Sequence, residues 1–477
     1  MNCAPLKKAD VSAIHGESLR LLSETGLAVY SPRAVDVFKK AGAEVDDVRQ
    51  VPRVRLPENM VAEALQKAPE AYTICGRDRK YDITFERGKP PLFGPSGVPH
   101  LIWDEKTGRR RNARLRDYID FVKLLNGLSQ VDFISSPCTF TDVPEPLLDL
   151  ATFFYLADTA QKPFSVDFSG EAGFRETIQM VALLKSRVYA DKPFVQFGFC
   201  PVISPLRLDR MGTGQLIEAV QAGIPVAPVT MAQTGVNAPA TLAGALTLMN
   251  TEMLSLVVLT QCAKPGAPIL YGTIPGTTNF RSAEMLTASP ELSLLNAGAT
   301  QMAAHYHLPN WATAGRTDAK TLDIQAGYEQ AFSVPLVALS GATYISAVGG
   351  FLQSVNVLAP EKFVIDDEIV GMTRRVLAGI NADKAHRAAD MIARIGPGGD
   401  YLGEAHTVRH MRSEYYQPWI TENSYWEAWQ SGERPSALER ARERAADIVG
   451  AHNVPHLSPD VVRELMEVVP ALNEIIG

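Results

Sequence analysis

From about residue 130 onward, short apolar runs recur, each followed by a stretch with helical spacing. The runs begin near Phe133, Phe164, Phe194, Val226, Ile269, Trp311 and Thr343, with gaps of about thirty residues in most cases and about forty in two. Parallel strands need a long crossover connection, and a helix supplies it. The pattern predicts a (β/α)8 TIM barrel with helical N- and C-terminal additions. The eighth strand either precedes Phe133 or follows Leu352. An open doubly wound sheet is the alternative, and it would ordinarily carry a glycine-rich phosphate loop after its first strand. Neither a G-x-G-x-x-G nor a Walker loop occurs in the sequence.

The flanks read differently. Residues 1–95 are expected to form a mostly helical region packed on the barrel, 96–360 the barrel core, and 361–477 a C-terminal helical region. Asp10 is placed to cap a helix with Val11, Ile14, Ser18 and Leu21 on one face and Gly26 at its end. Ser31–Pro32 starts a second helix, which Gly42 closes. Tyr81, Ile83 and Phe85 alternate as in a strand, and Leu101–Ile102–Trp103 followed by a Lys106–Thr107–Gly108 turn reads as a hairpin. After Pro360, helical spacing returns in Asp366 to Ile380, Lys384 to Ile395, Ala405 to Tyr416, Ser436 to Val449 and Pro459 to Leu472.

A net charge of −7 and the lack of a basic stripe argue against a nucleic-acid partner. The densest cationic stretch, Arg109–Arg110–Arg111 with Arg114 and Arg116, reads as a solvated turn and helix start. The N-terminus lacks the apolar core of a signal peptide. The most apolar stretch, Ala240 to Ala263, carries Asn250, Glu252 and Gln261, and so reads as a buried helix, not a membrane span. A cytoplasmic protein is the default expectation. The five cysteines, Cys3, Cys75, Cys138, Cys200 and Cys262, are odd in number and widely spaced, which argues against a disulfide framework.

Barrel enzymes carry their chemistry at the C-terminal ends of the strands. The residues following each run include Cys138 and Thr139, Asp167 and Phe168, Phe199 and Cys200, Thr230 with Met231 and Gln233, Tyr271 and Thr273, Arg316 and Asp318, and Tyr344 with Ser346 and Phe351. No G-x-S-x-G elbow is present and no histidine closely follows any run. Three readings stay open. Cys138 and Cys200 could converge on zinc in a metal-dependent hydrolase or lyase, against which stands the want of a third ligand; buried thiols are the plainer reading. His406 and His410 have helical ligand spacing, but outside the barrel repeat and without the glutamate of H-E-x-x-H, so a structural role is favoured. His305 and His307 do not share a helical face. Asp167, Asp318 and Glu252 could do acid–base work, or cap loops and pair within the helix layer. Phe168, Phe199, Tyr271, Tyr344 and Phe351 could ring a cationic or methylated substrate, each aromatic face contributing roughly 0.5–2 kcal/mol, or fill an ordinary core.

Several segments, in order, carry a resemblance. They are Asp142 to Phe164 (DVPEPLLDLATFFYLADTAQKPF), the long stretch from Ser204 to Gly272, Thr317 to Gln330 (TDAKTLDIQAGYEQ), Asp366 to Met372 (DDEIVGM), and Gly396 to His410 (GPGGDYLGEAHTVRH) followed by YWEAWQSG. Together they resemble the trimethylamine methyltransferase family, including members without pyrrolysine that demethylate quaternary amines such as glycine betaine. The resemblance implies a TIM barrel that hands a methyl group to the cobalt of a separate corrinoid protein docked over the mouth, with no cofactor bound permanently. A quaternary nitrogen is already a leaving group, so the protein need only orient the methyl group and exclude water.

This chain shows no pyrrolysine, which points to the quaternary-amine branch. In SGATYISAVGGF it has Ser346 and Ala347 where the resemblance implies a His–Asp pair. The expected substrate-binding set is Phe168, Phe199, Thr230, Gln233, Asn237, Tyr271, Asp318, Tyr344, Ser346 and Phe351, with Thr230, Gln233 and Asn237 as hydrogen-bonding groups. No catalytic residue and no metal ligand is assigned. Glycine betaine, proline betaine, carnitine and choline are the candidate donors, and a sulfonium has the same charge logic. A binding protein without turnover is the non-enzymatic rival. A homo-oligomer is the ordinary expectation for a protein of this size.

Overall fold

Two-residue alternation in short apolar segments builds the central sheet of this computed structural model, which describes residues 3–48, 50–105, 107–432, 435–451 and 456–476. The strands are β1 (Leu92–Gly94), β2 (Ile134–Ser135), β3 (Phe164–Asp167), β4 (Val195–Phe199), β5 (Val226–Thr230), β6 (Tyr271–Thr273), β7 (Asn310–Thr313) and β8 (Tyr344–Ser346). Neighbours pair in parallel from β2 round to β8, and β8 pairs in parallel with β1. The Asp132 amide donates to the Phe93 carbonyl at 2.8 Å, and the Phe93 amide donates to the Asp132 carboxylate at 2.8 Å, drawing β1 and β2 together. At Gly94 an added Cβ would lie 2.1 Å from the Phe133 carbonyl oxygen, so only glycine permits that approach. The expected TIM barrel is therefore present, and the eighth strand precedes Phe133.

Each strand is followed by a helix. These are α1 (Leu115–Gly127), α2 (Leu148–Thr159), α3 (Phe174–Arg187), α4 (Met211–Gln221), α5 (Leu242–Ala263), α6 (Pro290–His305), α7 (Ile324–Leu339) and α8 (Pro360–Leu377). Inward side chains from alternate strand positions, among them Phe133, Ala227, Val229, Leu270, Trp311 and Tyr344, form one buried cluster with Tyr72 and Phe85. Those two come from the antiparallel hairpin of Ala71–Ile74 and Ile83–Glu86, which plugs the barrel interior. The Tyr72 hydroxyl donates to Gln196 on β4 at 2.9 Å.

The long apolar helix α5 is buried, as its polar residues suggested. Among the described residues it is the one helix long and apolar enough to cross a membrane, and 78% of its most apolar window is inside the protein. Asn250 donates to Ser18 (2.8 Å) and Tyr306 (2.9 Å) and accepts from the Tyr271 hydroxyl (2.8 Å). Gln261 donates to the Ala267 carbonyl at 2.9 Å. Internal partners of this kind are what buried polar groups require.

Residues before β1 contain more than helix. Helices Lys8–Arg20, Pro32–Lys40 and Glu58–Lys67 pack on α5. Strands Leu27–Val29, Glu44–Asp46 and Arg53–Arg55 join Val202–Ile203 and Arg207–Leu208 in a five-stranded sheet. Asp10 lies at the third helical position, where its carboxylate accepts from the Lys7 amide at 3.0 Å. A π turn over Leu21–Thr25 adds a residue to the turn, so Leu22, not Leu21, is buried. The arginine run Arg109–Asn112 is an exposed strand, not a turn, paired with Leu101–Asp104; Lys106 lies outside the described residues. Beyond α8, helix Ala437–Ala451 packs on α8 and α1, and Pro459–Val468 packs on α3.

Candidate active site

A cavity of about 450 Å3 opens at the C-terminal ends of the strands, a size suited to a small organic ligand. Asp167 ends β3 on its inward face. Its carboxylate lies over Gly198 of β4, where an added Cβ would be 1.9 Å from Oδ1, so glycine makes room for it. No hydrogen bond or ion pair to Asp167 is formed among the described residues. Burial, and then the charge of Asp149, push its carboxyl up to about 6. Asp149 accepts from the Ser169 amide (3.1 Å) and hydroxyl (2.7 Å) and from the Gly170 amide (3.3 Å), fixing the loop after β3.

Arg316, beyond β7, also lines the cavity and is 5% exposed. Burial alone pushes its guanidinium down to about 10, still cationic at neutral pH. Its Nε has no hydrogen-bond partner. A buried unpaired charge is costly unless a ligand compensates it. The preceding Gly315 is held on both sides: its amide donates to the Ser333 hydroxyl at 3.1 Å, and its carbonyl accepts from Lys362 Nζ at 3.4 Å. Lys362 also donates to Gln330 (2.8 Å) and pairs with fully buried Asp366, which accepts from the Gly349 and Gly350 amides. Burial raises the Asp366 carboxyl, against the pull of Lys362.

The cavity wall is aromatic and thioether-rich. Phe168 stacks on Phe199 at 19° with ring centroids 6.2 Å apart, and Met231, Met285 and Trp311 also face the space. The Trp311 indole donates to the Ser346 hydroxyl at 3.2 Å, which sets the ring's orientation.

Of the residues expected from the sequence, Phe168 and Phe199 line this cavity. Tyr344 and Ser346 lie beneath it; the Tyr344 hydroxyl donates to the Pro95 carbonyl at 2.6 Å. Phe351 is buried and packs against Gly97 of the cavity wall. The structure does not bring the others in. Thr230 and Tyr271 are fully buried and face the helix layer, because successive strand residues point to opposite sides. Thr230 donates to Glu252 on α5, and Tyr271 to Asn250. Glu252 additionally accepts from the Ser204 hydroxyl (2.9 Å) and the Leu206 amide (3.0 Å), and burial raises its carboxyl. Gln233 and Asn237 close their own loop, the Gln233 amide donating to Asn237 Oδ1 at 2.6 Å. Asp318 ties two loops together, accepting from Thr287 (2.9 Å) and Ser354 (2.7 Å) in a neighbouring cleft.

The acid–base trio of Asp167, Asp318 and Glu252 is thus split between three surroundings. Cys138 is buried, with its thiol raised by burial. Cys200, at the cavity wall, is pushed up to about 11 by burial and the charge of Asp167. Both are held as thiols, whereas metal binding and nucleophilic attack use the thiolate. No third ligand joins them among the described residues. A further cavity, also about 450 Å3, lies outside the barrel between the first turns of α1 and α8 and helix Ala437–Ala451.

A family model described as trimethylamine methyltransferase matches residues 1–474. The chain belongs to the trimethylamine methyltransferase family. This methyltransferase is 28% identical to a glycine betaine methyltransferase of Desulfitobacterium hafniense strain Y51, over 99% of this chain and 98% of the relative. It is 29% identical to trimethylamine methyltransferases MttB of Desulfitobacterium hafniense strain DSM 10664 / DCB-2 (98% and 94% covered) and Methanosarcina barkeri strain Fusaro / DSM 804 (96% and 93% covered).

Cavity-lining residues of this methyltransferase outside the expected binding set include Asp167, Arg316, Trp311, Met231 and Met285. Asp167 and Arg316 had a signal, since each is a charged residue just beyond an apolar run. What singles them out is the lack of a partner, which is a tertiary property.

Proposed function

We propose that this enzyme transfers a methyl group from a small betaine, a quaternary ammonium compound with its own carboxylate, to the Co(I) of a corrinoid carried by a separate protein. One observation carries the reading: two opposite charges, Asp167 and Arg316, line one cavity, and neither has a partner among the described residues. A zwitterion of betaine type complements both. The Arg316 fork takes the carboxylate; Asp167 with Phe168, Phe199 and Trp311 takes the ammonium head. A simple methylamine would leave Arg316 uncompensated. The relative named a glycine betaine methyltransferase supports the same choice.

The chemistry asks for no proton. The carbon–nitrogen bond breaks with its electron pair going to nitrogen, which leaves as a neutral tertiary amine, while the acceptor cobalt supplies the pair for the new bond to carbon. The protein's residues fix the donor in line with the mouth and keep water out. Among the described residues the rim carries exposed Val98, Met231, Val236 and Phe280, an apolar collar suited to a protein that covers the opening.

The test is the absorption spectrum of cob(I)alamin mixed with the enzyme and, in turn, glycine betaine, proline betaine, carnitine, choline and a carboxylated sulfonium. Enzyme-dependent formation of methylcobalamin with a carboxylated donor and not with choline is the expected result. No methylation from any donor, repeated with a cognate corrinoid protein, would overturn the proposal; tight binding without turnover would instead mark a betaine-binding protein.

A further inference from the structure

The segment that follows α8 has little to hold it. Its helices Lys384–Arg387, Ala389–Ile395 and Ala405–His410 bury no residue. Elements this short, without a core, ordinarily need a staple. Three side chains converge where the segment returns to the barrel: His386, His410 and Glu414, each offering one ligand atom, all within 4.8 Å of one another and all half-buried.

We propose that His386, His410 and Glu414 bind one zinc ion that clamps residues 384–410 to the end of α8. Zinc bonds of about 2.0–2.1 Å in a tetrahedral site place ligand atoms about 3.3 Å apart. His386 Nε2 and Glu414 Oε1 are already 3.5 Å apart, so side-chain adjustment closes the rest. The surrounding contacts orient each ligand. His386 Nδ1 is 2.8 Å from Asp383 Oδ1, which directs the other ring nitrogen at the cluster, the usual outer arrangement of a metal-bound histidine. Glu414 has its Oε2 within 3.4 Å of Arg375 on α8, and Arg375 Nε donates to the Glu414 carbonyl at 2.6 Å; Oε1 is left facing the histidines. The His410 ring makes no hydrogen bond among the described residues, and stands 4.8 Å from His386 and 4.4 Å from His406, ring centre to ring centre. His406 lies 3.3 Å from the Ala385 carbonyl through Nε2 and so shields the cluster. Water completes the coordination. Contacts of His386 with Asp383 and Glu414 alone give no account of the His410 ring set edge-on against His386, with His406 packed in turn on His410.

The role is structural. α8 runs back from the strand ends, and near its end Arg374 pairs with Asp132, which precedes β2. The clamp therefore sits at the barrel face opposite the mouth, where barrels gain stability and not chemistry.

The full chain, stripped with a chelator and titrated with Zn2+ alone, is expected to bind one zinc per chain. His386→Ala and His410→Ala should each abolish that stoichiometric binding, and Asp383→Asn should weaken it about 10–100-fold. Zinc should slow amide hydrogen exchange across residues 384–410 in the native chain and not in His410→Ala. These positions are half-exposed, and unchanged circular dichroism checks that the variants fold. Failure to bind zinc stoichiometrically, binding that survives both histidine substitutions, or exchange indifferent to zinc would each overturn the proposal. None of these readouts depends on methyl transfer.

Discussion

Asp167 and Arg316 are two charged groups of the cavity that no described residue pairs with. Because burial raises the Asp167 carboxyl to about 6, it is ionised at neutral pH and becomes neutral as pH falls through that value. The sign follows: attraction for a cationic donor is present above about pH 6 and lost below it. Calorimetric titration with glycine betaine should show the dissociation constant rising from pH 7 to pH 5, and Asp167→Asn should bind weakly at both. Without ligand the sign reverses, since the ionised form is the one burial penalises and protonation relieves the cost. For Arg316, losing a charge-assisted pair costs about 1.5–3 kcal/mol. Arg316→Met should weaken glycine betaine at least tenfold in the same titration and leave choline almost unchanged.

At the scale of elements, the cavity depends on braces outside it. Lys362 on α8 pairs with Asp366 and reaches the carbonyl next to Arg316. Removing one partner of a buried pair strands the other, at a cost of about 3–5 kcal/mol. Lys362→Ala should show that loss in urea unfolding, together with weaker donor binding. Tyr271 is the contrasting case. Its hydroxyl meets Asn250 behind β6, so Tyr271→Phe should cost about 1 kcal/mol in stability with donor affinity unchanged. A large fall in affinity would show that Tyr271 reaches the ligand after all.

For the whole molecule, one end of the barrel is plugged by the Ala71–Glu86 hairpin, and the other opens through an apolar rim. Phe280 and Val236 are 73% and 62% exposed there. If a corrinoid protein docks on this collar, Phe280→Asp with Val236→Asp should slow methyl transfer to that protein at least tenfold and spare transfer to free cobalamin, as followed by absorption. Equal losses with both acceptors would place the effect inside the cavity.

The order of strands and helices was legible in the sequence because local spacing dictates it: a strand repeats every two residues and a helix every 3.6. So was the burial of α5, whose Asn250, Glu252 and Gln261 suit a packed interior and not lipid. The strand ends pointed to the right rim of the barrel, and Phe168 and Phe199 are on it. Which end residues face inward was not legible there, since strands buried on both faces read as continuous apolar runs with no visible alternation; Thr230 and Tyr271 face the helix layer. The first barrel strand, Leu92–Gly94, is too short to stand out as a run, and its pairing with β8 is what makes it a strand. The meeting of His386, His410 and Glu414 likewise needs the turn of the chain between them. Local pattern decides which elements form, and contact between distant residues decides which charges are left without partners.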